Sequence, residues 1–344
     1  MAIAVAVSGG VDSLLALQLL REQGEEVIAL HAFLQDLSED MYRVSKELQD
    51  KCAYLNVPFY LLDLRKDFQK LVIEPFVNSY AQGFTPNPCA LCNRRVKFGK
   101  LLDKARDLGA KKLATGHYAR LANVCGQKLL LRGRDEEKEQ SYFLALLTTC
   151  QLEFVHFPLA EWRKLDTYQA LEKKGLSAVN KMESQEICFV TGTDYRDFVL
   201  NKMKNYPPSG PIKDSQGNVL GTHQGLYRYT IGQRKGLGIS YPEPLYVLKK
   251  DTAKNELIVG TKEECISSKC RVKDLNILVD PDKWPEQLFV QTRYRQEAVP
   301  AHVHLQDREI KVSFLYSRKP ATPGQIAAFY SEQGEILGAG IIDE

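Results

Sequence analysis

The 344-residue sequence has no apolar stretch that approaches the roughly 18 residues needed to span a membrane. Its first residues also lack the basic start and the cleavage site of a secretory signal peptide. We therefore expect a protein without membrane segments, located in the cytoplasm. Long-period repeats, heptads and low-complexity tracts are also missing, which argues against a solenoid, a coiled coil or a disordered chain.

A large excess of one charge is absent as well. The chain carries 46 Lys and Arg against 43 Asp and Glu, a formal net charge of +3, so any nucleic-acid surface must be a local patch. A disulfide framework is not expected, because the eight cysteines of a cytoplasmic chain this long are core thiols or reactive groups. The length itself predicts two or three domains.

The N-terminal stretch carries the clearest signal. Residues 3–7 form an apolar run that is too short for a helix and rich in Val, which predicts a strand buried on both faces. An apolar helix follows, and the glycines Gly9 and Gly10 between them allow a sharp turn and a close approach of the backbone to a ligand. Because a helix start offers unpaired N–H groups and the positive end of a dipole, this turn predicts a phosphate site.

The turn lacks the features of the two commonest phosphate loops. Asp12 stands where a Walker loop has Lys, and the third glycine of the dinucleotide fingerprint is missing. Residues 8–13 instead resemble the PP-loop of the ATP pyrophosphatase superfamily, whose members hold the β- and γ-phosphates of ATP and transfer AMP to an oxygen. The resemblance implies that Ser8 and Ser13 bind the pyrophosphate and that Asp12 helps to hold Mg²⁺.

Strand-like and helix-like segments alternate after the first helix, which predicts an α/β fold with a doubly wound parallel sheet. The segments are residues 27–33, 39–55, 59–64, 68–80, 96–108 and 112–115, and a later basic helix is predicted over 194–204. Ligands of such sheets bind at the carboxyl ends of the strands. We therefore expect residues 8–13 and the turn at residues 115–117 on the same rim.

The pattern changes after the Pro-rich residues 206–211, which predict a domain boundary. Short β-branched runs on either side of turns then predict hairpins, and a weaker boundary lies near residues 267–271. We expect a PP-loop ATP-binding catalytic domain over 1–205 and a central β-rich domain over 206–268. The last predicted domain, over 269–344, is expected to be barrel-like.

Three cysteines fall into two candidate functional segments, named here the two cysteine stations: Cys89 with Cys92, and Cys188. In the loop of residues 83–94, which lies between two predicted helices, Cys89 and Cys92 have the spacing of a metal or redox pair. Cys188, roughly a hundred residues later, would on its own be a buried core thiol. Three nearby cations are expected to lower the pKa of the first two thiols and favour the thiolate: Arg94, Arg95 and Lys97.

Seven strings, in order through almost the whole chain, are similar to the MnmA-type tRNA-specific 2-thiouridylase family of the PP-loop superfamily. Besides residues 8–13 they are residues 85–88 with Cys92 and Asn93, 114–118, 140–144, 184–189, 229–238 and 293–295. The resemblance implies an ATP-dependent sulfurtransferase that acts on the wobble uridine of tRNA. Its O2 is adenylated and is then replaced by sulfur from a donor protein or from sulfide.

The resemblance also implies roles for individual residues, with Cys92 as the nucleophile and Cys188 as the carrier of a persulfide. The implied nucleotide-binding residues are Ala6, Val7, Ser8, Gly9, Gly10, Val11, Asp12, Ser13 and Gly116. Those implied to contact tRNA or its target base are Asn87, Pro88, Cys89, Lys138, Glu139, Gln140, Arg293 and Tyr294. Residues 225–238, which mix aromatic rings, cations and glycines, are a candidate RNA surface or an ordinary solvated turn.

The sequence departs from the common family pattern at Cys89, where Asp is usual, and Glu139 also replaces an Asp. With Cys89, three thiolates including Cys92 and Cys188 would suit a [4Fe-4S] cluster with one iron open for sulfide. Cys89 as a resolving thiol, or zinc with a fourth ligand, are the alternatives. A PP-loop ATPase that adenylates another acceptor and a non-catalytic RNA-binding protein also stay open as functions.

Overall fold

The computed structural model describes residues 2–124, 126–179, 187–190, 194–203 and 207–344. Cys125, residues 184–186 of one family-like string, Lys204 at the end of the predicted basic helix and Tyr206 of the predicted boundary lie outside the described residues. The chain divides into two compact units. One comprises Met1–Ile73, Cys89–Phe189 and Gln333–Leu337, and the other Glu74–Pro88, Val190–Glu332 and Gly338–Glu344.

The first unit is built on a five-stranded parallel sheet, as the alternating pattern predicts. Its strands are β1 (Ile3–Ala6), β2 (Val27–Phe33), β3 (Phe59–Asp63), β4 (Lys112–Ala114) and β7 (Val155–His156), in the order β3-β2-β1-β4-β7. The central strand β1 is buried on both faces, with Ile3, Ala4 and Val5 at most 3% exposed. Strands β5 (Ala119–Val124) and β6 (Gln127–Arg132) form a separate antiparallel pair.

Helices follow the strands in chain order. They are α1 (Val11–Glu22), α2 (Glu39–Tyr54), α3 (Arg65–Phe68), α4 (Glu74–Ala81), α5 (Pro88–Cys92), α6 (Leu102–Asp107), α7 (Ser141–Leu144), α8 (Thr149–Glu153), α9 (Lys164–Lys173) and α10 (Tyr195–Lys202). Two π-helical segments, Gln69–Ile73 and Asn93–Leu101, follow α3 and α5 directly. Within the described part of the chain, no helix is both long and apolar enough to cross a membrane.

The second unit is mainly β, as the hairpin pattern predicts. Strands β8 (Gly210–Lys213), β9 (Val219–His223), β10 (Tyr246–Asp251) and β11 (Glu256–Gly260) form a sheet in the order β10-β11-β8-β9. The last six strands close into a barrel in the order β12-β15-β14-β13-β16-β17. They are β12 (Ser267–Ile277), β13 (Leu288–Gln291), β14 (Val299–Gln306), β15 (Glu309–Arg318), β16 (Ile326–Tyr330) and β17 (Ile336–Ile342).

One secondary-structure prediction is wrong at a place that matters for function. Cys89 and Cys92 were expected on a loop, but they lie on helix α5, which Pro88 begins. A proline suits the first turn of a helix, because its missing N–H would have no helical acceptor there and its fixed φ is already helical. The string of residues 85–88 therefore leads into a helix.

Candidate active site

The turn between β1 and α1 is held in shape by its own serines. Gly9 has a φ of 86°, which glycine adopts without strain, and Gly10 is the residue before the helix. The Ser13 hydroxyl accepts a hydrogen bond from the Ser8 backbone N–H at 3.1 Å and donates one to the Gly10 carbonyl at 2.9 Å. These bonds preform the turn at the carboxyl end of the central strand.

The turn that follows β4 packs directly on the start of α1. A Cβ on Gly116 would lie 2.7 Å from the backbone carbonyl carbon of Asp12, so that no larger residue fits without a shift of the backbone. The expected meeting of residues 8–13 with residues 115–117 on one rim is therefore present.

A cavity of about 390 Å³ opens at this rim. Thr115, His117 and Gln140 line it together with two lysines that are distant in sequence, Lys97 and Lys164. Of the nine residues implied to bind nucleotide, eight line the cavity: Ala6, Val7, Ser8, Gly10, Val11, Asp12, Ser13 and Gly116. A cavity with a preformed helix-start turn, and with Lys164 beside Asp12 of that turn, suits a polyphosphate.

Asp12 has partners that sequence reasoning missed. The Lys164 Nζ atom, at the start of α9, lies 2.8 and 2.7 Å from the two carboxylate oxygens, and the Tyr118 hydroxyl donates to one of them at 2.6 Å. Burial, followed by the Asp12 charge, raises the pKa of Tyr118 and keeps it a donor. The sequence shows only that the turn itself lacks a lysine. This absence does not indicate where in the chain a compensating cation lies.

His117 is a neutral histidine in this site. Its Nδ1 lies 2.7 Å from the Thr115 hydroxyl, and burial, aided by the Lys97 charge, holds the pKa of His117 well below its usual range. A neutral imidazole brings no positive charge to a phosphate. Gln140, which was predicted for tRNA contact, also lines the cavity, and its side-chain oxygen accepts from the Tyr118 backbone N–H at 3.1 Å.

The two cysteine stations lie within electrostatic range of each other. After burial, which is the largest effect, negative charge on Cys188 raises the pKa of both Cys89 and Cys92, and Cys89 acts in the same way on Cys92. Cys188 is exposed as a residue, although the surrounding protein still desolvates its thiol, and its backbone carbonyl accepts from the Gln35 side chain at 3.0 Å. The following Phe189 packs edge-on against Phe68 with ring centroids 5.7 Å apart, which anchors this station.

The expected lowering of the thiol pKa values is wrong. Burial raises the pKa of Cys92 to about 12, and it also raises the pKa values of Cys89 and Cys188. Of the three nearby cations, only Lys97 opposes this shift. Sequence proximity put three charges beside the thiols, but only one of these side chains acts on them from a low-dielectric position.

The three thiols do not form a ready metal site. Among the described residues, which include Cys89, Cys92 and Cys188, no group of three or more His, Cys, Asp or Glu is arranged to hold a metal ion. Thiols with raised pKa values are also poor ligands until they lose their protons. The donor set suits iron or zinc by type, but its arrangement in this structure does not fit a cluster.

The loop implied to approach the target base is fixed within the second unit. The Thr85 backbone N–H donates to the Pro323 carbonyl at 2.8 Å, and the Gln325 side chain donates to the carbonyls of Thr85 and Pro86 at 2.8 and 3.1 Å. A Cβ on Gly324, whose φ is 91°, would come within 2.9 Å of this loop. The barrel therefore sets the conformation of the residues just before Asn87 and Pro88.

Two other family-like strings join that loop in the same unit. Arg293 donates from Nη2 to the Ile231 carbonyl at 3.0 Å and to the Thr322 hydroxyl, while the side chain of Gln291 donates to the carbonyls of Arg293 and Tyr294. This Arg293 nitrogen thus organises the turn at residues 229–238. Two cations of that turn, Arg234 and Lys235, are exposed.

The string at residues 138–140 is not a continuous surface. Glu139 is only 5% exposed, and its carboxylate accepts from Arg132 at 2.8 Å and from the Ser141 backbone N–H at 2.9 Å. The half-buried Lys138 lies in the preceding turn, where its backbone N–H donates to the Asp135 side chain at 3.2 Å. In this structure Glu139 braces helix α7, while Gln140 faces the cavity.

Comparison with known protein families covers nearly the whole chain. Residues 1–192 match the family model described as the tRNA methyl transferase HUP domain. Residues 196–261 match the tRNA methyl transferase PRC-barrel domain, and residues 267–342 match the aminomethyltransferase beta-barrel domain. The first match spans the parallel sheet, and the last spans the closed barrel.

Similar proteins are known from several bacteria. The chain is 46% identical to the tRNA-specific 2-thiouridylase MnmA of Nitratidesulfovibrio vulgaris strain Miyazaki F, with 99% of each chain covered. It is 45% identical to the tRNA-specific 2-thiouridylase MnmA of Lawsonia intracellularis, again over 99% of each. Among solved structures, the U34-tRNA thiolase NcsA from Methanococcus maripaludis with its [4Fe-4S] cluster is 17% identical, with a TM-score of 0.38 over 58% of this chain and 64% of that one. A TM-score this low supports no conclusion about the fold or the function of this chain.

Proposed function

Because the chain belongs to the tRNA-specific 2-thiouridylase family, we propose that it replaces O2 of the wobble uridine of tRNA with sulfur in two steps. ATP first adenylates O2 and releases pyrophosphate. Sulfur then attacks C2, and AMP leaves with the oxygen. The activation step is needed because an amide-like oxygen is a very poor leaving group, whereas a phosphate ester oxygen leaves readily.

We assign the activation step to the cavity at the carboxyl end of β1. Ser8, Ser13 and the backbone N–H groups at the start of α1 bind the phosphates that leave as pyrophosphate. Asp12 lines the cavity with a carboxylate suited to Mg²⁺, which would neutralise phosphate charge. Lys164 pairs with Asp12 and supplies the cation that a Walker loop carries within its own sequence.

We assign sulfur transfer to Cys92 and Cys188. The terminal sulfur of a Cys188 persulfide attacks C2, forming a C–S bond while the C–O bond to AMP breaks and the electron pair leaves with AMP. The Cys92 thiolate then attacks the Cys188 sulfur and breaks the bond to the transferred sulfur. This releases 2-thiouridine and leaves a Cys92–Cys188 disulfide, which a dithiol reductant must reopen. A donor protein that carries a persulfide then transfers its outer sulfur to the reduced Cys188; alternatively sulfide, in place of the dithiol, attacks the disulfide at Cys188, which gives the Cys188 persulfide and the Cys92 thiolate without a further oxidant.

The single observation that carries the proposal is the position of Lys97. Its side chain lines the phosphate cavity, and its charge acts on all three thiols, so the activating and the sulfur-bearing groups belong to one site. The persulfide scheme needs only two neighbouring thiols. We route no step through a [4Fe-4S] cluster, because the described ligands do not fit one.

We propose further that the tRNA is held mainly by the second unit. The loop before Asn87 and Pro88, the turn at residues 229–238 and Arg293 are linked there by hydrogen bonds. In this proposal residues 1–205 carry the chemistry, residues 206–268 contact tRNA, and residues 269–344 support that contact as a barrel. Cys89 would stand near the target base as a resolving thiol.

The test is to incubate the purified protein with ATP, Mg²⁺, a persulfide donor and an unmodified tRNA transcript with a wobble uridine. We expect tRNA-stimulated release of AMP and pyrophosphate and a 2-thiouridine nucleoside by mass spectrometry. Cys92→Ser and Cys188→Ser should lose 2-thiouridine while they still release pyrophosphate. Pyrophosphate release that responds only to a small acceptor would instead indicate another PP-loop activity, and no release at all would favour an RNA-binding protein.

A matched measurement separates the persulfide scheme from a cluster. Protein purified without oxygen is analysed for iron and acid-labile sulfide, and Cys89→Ala is assayed with the same persulfide donor. We expect no stoichiometric iron and substantial activity in Cys89→Ala. Iron and sulfide at cluster stoichiometry, lost together with activity in Cys89→Ala, would overturn the persulfide assignment.

A further inference from the structure

Lys97 is a cation without a counter-ion in the described structure. It is half-buried in the π-helical segment Asn93–Leu101, and among the described residues its side chain has neither a hydrogen bond nor an ion pair. Buried or half-buried ammonium groups are costly unless a partner compensates them. The Lys97 side chain is therefore available to a negative charge that the reaction brings into the site.

The π-helical segment places Lys97 beside both Cys92 and the cavity. Residues five apart in a π-helix are joined by its i→i+5 hydrogen bonds, so Lys97 lies one turn after Cys92 on the same side of the helix. The same side chain lines the cavity with Ser8, Ser13 and Asp12. Lys97 thus stands between the sulfur station and the nucleotide turn.

We propose that Lys97 is a catalytic residue for sulfur transfer, one that stabilises negative charge on the attacking sulfur and then on the departing AMP. The proposal rests on the proposed function. As the S–C2 bond forms and the C2–O bond breaks, one negative charge moves from sulfur to the AMP phosphate. Lys97 offers its side-chain amine as a fixed group at the start and at the end of that movement.

The electrostatics of the thiols agree with this position. Lys97 is the largest favourable influence on the Cys92 and Cys188 thiolates, and burial is the only larger effect on either group. Lys100, in the same π-helical segment, is exposed, lies 4.0 Å from Asp67 and does not act on the thiols. Lys100 therefore provides a matched control for a lysine substitution in this segment.

The first experiment compares Lys97→Met, Lys97→Arg and Lys100→Met in single turnover with ATP, tRNA and a persulfide donor. We expect Lys97→Met to slow 2-thiouridine formation by about a hundredfold, the usual effect of losing one charge-stabilising group, while tRNA-stimulated pyrophosphate release changes much less. Lys97→Arg should recover part of the rate, and Lys100→Met should match the wild type. A parallel loss of pyrophosphate release and thiolation in Lys97→Met would overturn the proposal.

The second experiment does not depend on the thiolation assay. The rate of Cys188 alkylation by neutral iodoacetamide is followed by peptide mass spectrometry at one pH, without ATP or tRNA. We expect Lys97→Met to slow alkylation by about threefold to tenfold, as for a loss of up to one pKa unit of thiolate stabilisation, with Lys100→Met unchanged. An unchanged rate in Lys97→Met would overturn the role of Lys97 at the thiols. If the wild type makes no 2-thiouridine, the proposed function fails, and this measurement still decides whether Lys97 acts on sulfur.

Discussion

The Asp12 and Lys164 side chains show how single residues compensate for what a short motif lacks. Lys164 is 11% exposed at its side chain and Asp12 is 30% exposed, so the pair is sheltered from water. Removing one partner of such a pair leaves an unpaired charge, which costs more than the pair itself contributes. The two charges stabilise each other across 152 positions of sequence.

Lys164→Met is therefore expected to lower the apparent melting temperature and to weaken ATP binding by about tenfold, or about 1.4 kcal/mol. The double variant Asp12→Asn with Lys164→Met should regain part of the melting temperature, because no unpaired carboxylate remains, but should not regain ATP binding. Scanning calorimetry and titration of ATP into the protein measure the two effects. Equal melting temperatures of Lys164→Met and the wild type would show that the pair does not stabilise the fold.

At this scale the sequence predicts the turn but not its partners. The string of residues 8–13 identifies a phosphate turn because glycines, serines and a helix start act locally. Lys164 and the cavity-lining position of Lys97 carry no local pattern, because both depend on residues that are distant in sequence. Glu139 is paired locally, with Arg132, but its burial is set by the fold. The thiol pKa values were predicted with the wrong sign for the same reason, because burial is a property of the fold.

Among the elements, the π-helical segment after Cys92 is the one that sequence reading could not provide. In this segment the backbone carbonyls of Arg94 and Phe98 accept hydrogen bonds from the Gln151 side chain at 2.7 and 2.6 Å. Gln151 also completes the capping box of α8 with Thr148. Apolar periodicity predicts the alternation of strands and helices. It does not predict the π-helical segment, whose carbonyls are bonded by Gln151, a side chain of helix α8.

Gln151→Met is expected to lower thiolation sharply and the free energy of unfolding by about 1–3 kcal/mol, because it removes two part-buried side-chain hydrogen bonds, to the carbonyls of Arg94 and Phe98. Thr148→Ala is the matched control, since it removes the cap of α8 at a cost of about 1 kcal/mol and leaves the Gln151 amide in place. Denaturant unfolding and single-turnover thiolation of both variants are compared. Equal thiolation rates would indicate that the segment holds its shape without Gln151.

For the whole molecule, a net charge of +3 leaves little general attraction for tRNA, so binding must rest on local cations and on shape. Arg234 and Lys235 are exposed on a turn whose neighbours Ile231 and Leu237 are anchored in a hydrophobic cluster.

We expect the double variant Arg234→Gln with Lys235→Gln to weaken tRNA binding and to reduce the slope of log K against log salt by about 1.4–1.8, as for two lost phosphate contacts. Filter binding at several salt concentrations measures that slope. The control changes two other exposed lysines of the same unit, Lys254→Gln with Lys262→Gln, and should leave it unchanged; equal slopes for both double variants would place the tRNA elsewhere.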